Sequence, residues 1–333
     1  MVTLPPQSSP GAASAPGEFD IIARYFRRPA PRAALGIGDD CALLQPAPGQ
    51  QWAISTDMLV EGRHFFAGTD PRRLGHKALA VNLSDLAAMG AQPHSFVLAL
   101  ALPAVDVAWL QGFSAGLLEL ADAHRIELVG GDTTRGPLNL CLTVLGLVPP
   151  GLALRRDAAR AGDDLWVSGT PGEARLALGH LRGEWQLAPS ALPAVLARLE
   201  QPQPRVQLGL QLRGVAHAAI DVSDGLLGDL AHVLEASRVG ARVEADALPL
   251  GDVMAQQPAD RRRACQLAGG DDYELLFTAP PERRDDVVRA AAQAGVAVTR
   301  IGGIEAEPGL RLHDAHGRSM PSQYPSFDHF LQP

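Results

Sequence analysis

The chain has 333 residues, 46% of them hydrophobic and 20% charged, with a net charge of −8 at neutral pH. That length supports two domains with cores of their own, and the acidic balance argues against a nucleic-acid partner, whose phosphates select basic surfaces. Three scattered cysteines (Cys41, Cys141, Cys265) offer neither a disulfide framework nor a C-x-x-C site and fit a reducing cytoplasm, and the longest apolar run, Phe96 to Leu102, is too short to span a bilayer.

Residues 1–17, rich in Pro, Ser, Ala and Gly, read as a disordered tail and not as a signal peptide. Glu18 to Phe26 reads as a short amphipathic helix with Phe19, Ile22 and Phe26 on one face. Leu35 to Leu44 is a Gly-rich approach into a strand, Pro48-Gly49 a turn, and Trp52 to Asp57 a second strand. Asp70-Pro71 opens a helix, since Asp suits an N-cap and Pro the first helical position. Along it Leu74, Ala78, Val81, Asp85 and Ala88 recur at steps of three and four, so Asp85 falls on an apolar stripe. A carboxylate taken out of water must be neutralised, paired or bound to a cation. Lys77, the only lysine, is a possible partner for it, and a cation is the reading preferred here.

Ser95 to Leu102 suits a strand covered on both faces. A helix is expected over Asp106 to His124, then a strand over Ile126 to Val129 that ends in Gly130-Gly131-Asp132-Thr133-Thr134, and another over Leu138 to Val148. Pro149-Pro150-Gly151 is the candidate domain boundary. Beyond it come a strand at Leu165 to Ser168 and helices near Glu173 to Leu181 and Leu192 to Leu199. Ala218 to Gly225 runs from a strand into a helix. Gly269-Gly270-Asp271-Asp272 leads into a strand at Tyr273 to Thr278, followed by a helix, Pro281 to Ala294, and a strand, Val296 to Ile301. Alternating strands and helices in both halves mean layered α/β architecture. Ser84-Asp85 and Ser223-Asp224 are each followed by a Gly-Gly-Asp at the same distance, 47 residues from Asp85 to Asp132 and from Asp224 to Asp271, an echo that a shared ancestral unit would explain.

Acids at strand ends, after glycines or on apolar faces form the chemical signal: Asp39, Asp40, Asp57, Asp85, Asp132, Asp221, Asp224, Asp271 and Asp272. A lone Gly-Asp is usually a turn or cap, and Asp272 is expected to be solvated; the number of such acids is what points further. Short carboxylates beside Ser55, Thr56, Thr133 and Ser223 are hard oxygen ligands suited to Mg²⁺. Several metals in one acidic nest imply a polyanion such as a nucleoside triphosphate. Neither a P-loop nor protein-kinase motifs are present, so metals, backbone and Arg would have to hold the phosphates.

Gly36-Ile-Gly-Asp-Asp-Cys-Ala, Ile54-Ser-Thr-Asp57, Asn82-Leu-Ser-Asp-Leu-Ala-Ala-Met-Gly90, Gly130-Gly-Asp-Thr-Thr-Arg-Gly136, Asp221-Val-Ser-Asp-Gly225 and Gly269-Gly-Asp-Asp-Tyr-Glu-Leu275 together resemble the thiamine-monophosphate kinase family. The resemblance runs from about Gly17 to Phe330. It implies the two-domain fold of aminoimidazole ribonucleotide synthetase, with an α/β N-terminal domain over residues 18–149 that pairs in a homodimer and an α/β C-terminal domain over 150–333. It also implies ATP-dependent phosphorylation of thiamine monophosphate with several Mg²⁺, in the cytoplasm. Metal ligands carried over by matching motif are Asp40, Ser55, Thr56, Asp57, Asp85, Asp132, Asp221 and Asp224. Gly131, Asp132, Arg156 and Ser223 would contact nucleotide, and His64, Asp271 and Phe327 would face thiamine monophosphate. Close relatives carry Glu at the place of Asp271. The acceptor is an ionised phosphate, so no general base is expected. The alternatives are a selenophosphate or aminoimidazole ribonucleotide synthetase, or a non-catalytic nucleotide-binding maturation protein. The first would need a reactive Cys and a Lys near the start, and the last would be expected to lack part of the acid set.

Overall fold

The computed structural model describes residues 17–37, 41–321 and 324. Asp39, Asp40 and Phe327 lie outside the described residues, and so does the expected tail apart from Gly17.

The chain enters through a single helical turn, α1 (Glu18–Ile21), continued by a π-helical turn over Ile22–Phe26. The widened turn shifts the buried face to Ile21, Tyr25 and Phe26 and leaves Phe19 82% exposed, against the expected Phe19–Ile22–Phe26 stripe. Of the stretch Leu35 to Leu44, expected to lead into a strand, residues 38–40 are not described; among the described residues Leu35 and Leu43 form an isolated bridge. Then follow β1 (Gln51–Val60), α2 (Pro71–Ala88), β2 (Gln92–Leu102), α3 (Val107–His124), β3 (Glu127–Arg135) and β4 (Asn139–Val148). The four strands form one sheet in the order β1-β4-β2-β3, with only β2 and β3 parallel. The Gly130-Gly131-Asp132 motif therefore lies inside β3 and not in a loop after it. Its strand character comes from pairing with β2, a tertiary contact that local glycine content argues against.

Helix α2 starts as its sequence dictates, with the Asp70 carboxylate accepting the Arg73 N–H at 3.0 Å and Pro71 at the first position. It is buried almost all round, including Lys77, Asn82 and Ser84, because α3, the sheet and the second half of the chain each cover one side. The α2–α3 crossing is backbone-close: a Cβ on Gly75 would lie 2.1 Å from the Phe113 carbonyl oxygen, and one on Gly116 1.8 Å from that of Arg72.

The second half holds β5 (Asp164–Ser168), α4 (Glu173–Leu181), α5 (Leu192–Glu200), α6 (Val206–Leu212), β6 (Ala218–Asp221), α7 (Leu226–Ser237) and β7 (Gly240–Glu244). These continue into α8 (Asp252–Ala255), α9 (Ala259–Ala268), β8 (Leu275–Ala279), α10 (Arg284–Ala294), β9 (Val298–Glu305), β10 (Gly309–His313) and β11 (Ser319–Met320). A seven-stranded mixed sheet runs β11-β10-β7-β9-β5-β8-β6. The sequence reading missed α6, which is too short to show a helical period. Val206, Leu208 and Leu212 on it join the first half's core, and the helix packs on both α2 and α10. One apolar cluster thus continues from the α2–α3 layer into Trp166, Ala219 and Phe277 of the second half. The sequence echo has no structural counterpart. Ser84-Asp85 lies in the last turns of α2 and Ser223-Asp224 in the loop before α7; one Gly-Gly-Asp is in a strand and the other in a loop.

Candidate active site

A cleft of about 1000 Å³ lies between the halves and is lined by Asp57, Asp85, Asp221, Ser223, Asp224 and Asp271 among others. Alternation along β1 sends Ser55 and Asp57 toward α2, where the Ser55 hydroxyl donates to Asp85 at 2.5 Å. The Asp57 N–H donates to the Asn82 side-chain oxygen at 3.2 Å, which ties the strand to the helix. From the opposite half, Asp221 ends β6 and accepts the Ser84 hydroxyl at 2.7 Å. Adjacent serine and aspartate at the end of α2 thus face one acid from each half of the chain.

The carboxylates repel. Burial, then the charges of Asp85 and Asp221, pushes Asp57 up to about 7. Asp221 is also raised to about 7, by burial and then Asp85, with Ser84 and Arg156 opposing. Asp85 is raised by burial against the Ser55 hydrogen bond and the nearby Arg156 guanidinium. Among the described residues no three carboxylate, imidazole or thiol side chains stand close enough to grip an ion as they are, so this is a repelling set and not a preformed cage.

Sequence reasoning missed Asp229, in the first turn of α7. Its buried carboxylate accepts the N–H groups of Ser223, Asp224 and Gly225 at 3.1, 3.2 and 3.1 Å, which fixes the loop that presents Asp224. Burial and the charges of Asp221 and Asp224 raise it to about 7. An acid in the first turn of the helix after Ser-Asp-Gly was the available signal.

The 270–275 segment is anchored at each acid. Asp271 meets Lys77 at 2.7 Å, so the lysine considered as a partner for Asp85 is engaged elsewhere. Asp272 is buried and not solvated as expected: it accepts the Gly172 N–H at 2.6 Å and the Ala174 N–H at 3.4 Å at the start of α4, while burial drives its pKa well up. Glu274 takes Arg198 at 2.6 Å and Arg205 at 2.5 Å, and accepts the Ser168 hydroxyl. Gly270 passes so near the other loop that a Cβ would sit 2.3 Å from the Ser223 carbonyl oxygen.

The remaining sequence candidates divide. Arg156 is exposed but stands within electrostatic reach of Asp85 and Asp221. His64 lines the cleft and accepts the Val60 N–H at 2.9 Å through Nδ1. The Thr56 side chain points to the opposite sheet face, where it bonds Thr143, so only its main chain can serve the nest. Gly131 and Asp132 are on β3, three strands from β1 and so roughly 14 Å away. Register places Asp132 in line with Ala99, Cys141 and Met58, on the exposed face.

Comparison with known proteins matches the AIR synthase related protein, N-terminal domain, over residues 38–148 and the corresponding C-terminal domain over residues 160–315. Thiamine-monophosphate kinase of Salmonella typhimurium is 46% identical over 323 residues, 95% of this chain and 99% of the relative. The crystal structure of thiamine-monophosphate kinase from Stenotrophomonas maltophilia K279a superposes with a TM-score of 0.82 at 46% identity, covering 90% of this chain and 95% of that one. The complex of AaThiL with AMPPCP and TMP gives 0.74 at 28% identity, over 86% of this chain and 89% of that one.

The repulsion has a pH signature. A carboxyl whose pKa rises on folding stabilises the fold below its unfolded value of 3.8 and loses that contribution as pH climbs through its folded value, about 7 for Asp57. In EDTA, Asp57→Asn is expected to melt above wild type at pH 8 by about 2 °C or more, with the gap closing by pH 4.5. Thermal melts at both pH values check this, and an unchanged gap would mean that neither burial nor the neighbouring carboxylates disfavour the charge at Asp57.

Proposed function

The chain belongs to the thiamine-monophosphate kinase family of AIR synthase related proteins, and we infer that it phosphorylates thiamine monophosphate to thiamine diphosphate with ATP as donor. The observation that carries this is full-length likeness to such kinases, 46% identical across 95% of the chain. Synthetase and non-catalytic alternatives lose ground to it, since the acids of the family motifs are present in order.

Among the described residues the proposed ligands are all hard oxygen donors, and burial with mutual repulsion makes their carboxylates costly to charge without a cation; both properties fit Mg²⁺. Asp57, Asp85, Asp221 and Asp224, with Ser55 and the Thr56 main chain, would hold it, and Asp40 is assigned to the same set. When bound, Mg²⁺ neutralises and orients phosphoryl oxygens. The chain's own residues do the rest. Arg156 sets a positive charge beside the nest for the nucleotide phosphates, and Asp229 fixes the Ser223–Gly225 loop against which the nucleotide lies. Asp271 and His64, which line the cleft, would face the acceptor, and Phe327 is assigned to it by motif alone. The acceptor phosphate is ionised at neutral pH, so positioning and charge neutralisation suffice, and no side chain needs to take a proton or form a phosphoenzyme.

Two copies complete the site in this reading. β1 and β3 are the two edges of the four-stranded sheet, and the proposed ligands Thr56 and Asp57 lie on one edge with Gly131 and Asp132 on the other. A homodimer that sets β3 of the partner beside β1 brings these together and removes both open edges. It also covers Ile54 and Met58, which are 63% and 52% exposed on the outer sheet face. The division at residue 149 into a dimerising N-terminal domain and a C-terminal domain belongs to the same account. Among the described residues no helix is long and apolar enough to cross a membrane. A cytoplasmic site of action fits the three unpaired cysteines.

Equimolar ADP and thiamine diphosphate are the expected products, with free thiamine left unphosphorylated because it offers no ionised phosphate. AMP release, or thiamine turnover at a similar rate, in a chromatographic assay would contradict the reading. Mixing refolded Asp57→Asn and Asp132→Asn chains, each inactive alone, is expected to restore about a quarter of wild-type activity, because half the dimers carry one intact shared site. No recovery would place both residues in a site built by one chain.

A further inference from the structure

Lys77 is the only lysine in a chain with 29 cationic side chains of the Lys and Arg types, and it is only 4% exposed. It projects from α2 into the cleft, where its ammonium meets Asp271 Oδ1 at 2.7 Å and the His64 carbonyl oxygen at 3.5 Å. The pair joins the two halves of the chain. Among the described residues Asp271 has no other side-chain hydrogen bond or ion pair, and its side chain keeps 30% of its exposure, so the second carboxylate oxygen is available to a ligand. Its backbone is held separately: Asp271 sits at φ 66° and its N–H donates to the Ser223 carbonyl at 2.8 Å. One backbone bond and one ammonium therefore fix which way this carboxylate faces. An ammonium suits this place, being a compact charge on a flexible stem; a guanidinium is a planar fork that needs room for several acceptors.

We propose that Lys77 is a positioning residue for the acceptor: by holding one oxygen of Asp271, it aims the other at the cationic, amino-bearing rings of thiamine monophosphate. This rests on the kinase reading above. A short aspartate arm has little reach and few rotamers, and with one oxygen anchored it presents a single acceptor of fixed direction. Binding of the rings then needs no reordering of the carboxylate, which lowers the cost of association. Lys77 acts through Asp271 and not on the transferred phosphate, which the acidic nest receives.

Steady-state kinetics of Lys77→Met, Asp271→Asn and the double variant test this, with thiamine monophosphate, ATP and free thiamine as a competitive inhibitor. Lys77→Met is expected to raise the KM for thiamine monophosphate and the Ki of thiamine together by about tenfold, the scale of one charge-assisted hydrogen bond. The kcat and the KM for ATP stay within twofold, and the double variant is no worse than Asp271→Asn. Lys77→Arg keeps the buried charge, protects against a folding defect, and is expected to show a smaller change of the same kind. A raised KM with unchanged thiamine Ki would place Lys77 at the phosphate and overturn the proposal, as would effects that multiply in the double variant or an unchanged KM in an active variant. Wild-type turnover in the same assay separates the two questions: its failure removes the kinase reading, whereas normal turnover with an unaffected Lys77 variant removes only this residue's role.

Discussion

Placing Asp57, Asp85, Asp221 and Asp224 around one half-buried cleft sets like charges against each other in a medium that screens them poorly, and much of the surrounding structure serves to hold them there. No single element could do so. The acids arrive from an edge strand, the last turns of a buried helix, the end of β6 and the loop that follows it. Each is steadied by a neighbour that does not share its charge: Ser55 for Asp85, Ser84 for Asp221, Asn82 for the backbone of Asp57. The Asp224 loop is held instead by another acid, Asp229, whose carboxylate accepts three N–H groups. These bonds fix position without neutralising charge, so the demand for a cation is left in place.

The second half supplies stiffness around the same point. Between Gly270 and Leu275 the chain commits Asp271 to α2, Asp272 to the start of α4 and Glu274 to Arg198 and Arg205. Asp271 and Tyr273 both adopt left-handed backbone, which non-glycine residues hold only when their surroundings over-determine them. The Glu274 cluster does not touch the proposed reacting groups, but it anchors the end of the loop before β8 that carries Asp271 into the cleft. Breaking a buried charge cluster of this kind typically costs ~3–5 kcal/mol, so the segment has a strong reason to keep its shape.

Local patterns in the sequence were legible where local physics decides. The Asp70-Pro71 start of α2 follows from capping geometry, and that helix, the helix expected over Asp106 to His124 and the strands expected at Trp52 to Asp57 and Leu138 to Val148 are all present in the structure. The apolar stripe through Asp85 was also readable, although the helix proved buried on its other sides too. Partners were not legible. Lys77 lies eight residues before Asp85 on the same helix, yet it bonds Asp271, 194 residues away. Asp272 looked solvated because nothing nearby in sequence announces the two N–H groups of α4 that receive it. The glycines of β3 read as a loop because strand pairing with β2 is a long-range contact. The family motifs gathered the acids as a list, but not their geometry: within one chain, Asp132 and the Thr56 hydroxyl are on the sheet face away from the nest.

The central claim is that the nest is held ready for a cation that relieves its repulsion, and Asp85 is its most direct probe, since Asp85→Asn removes charge with little change in size. Thermal melts of this variant and wild type, in EDTA and then in excess Mg²⁺ with nucleotide, separate storage of repulsion from ordinary structural support. The account predicts that the variant melts at or above wild type in EDTA and loses most of the Tm rise that Mg²⁺ and nucleotide give wild type. A variant markedly less stable in EDTA that keeps the full Mg²⁺ response would contradict it, and would make Asp85 a structural carboxylate.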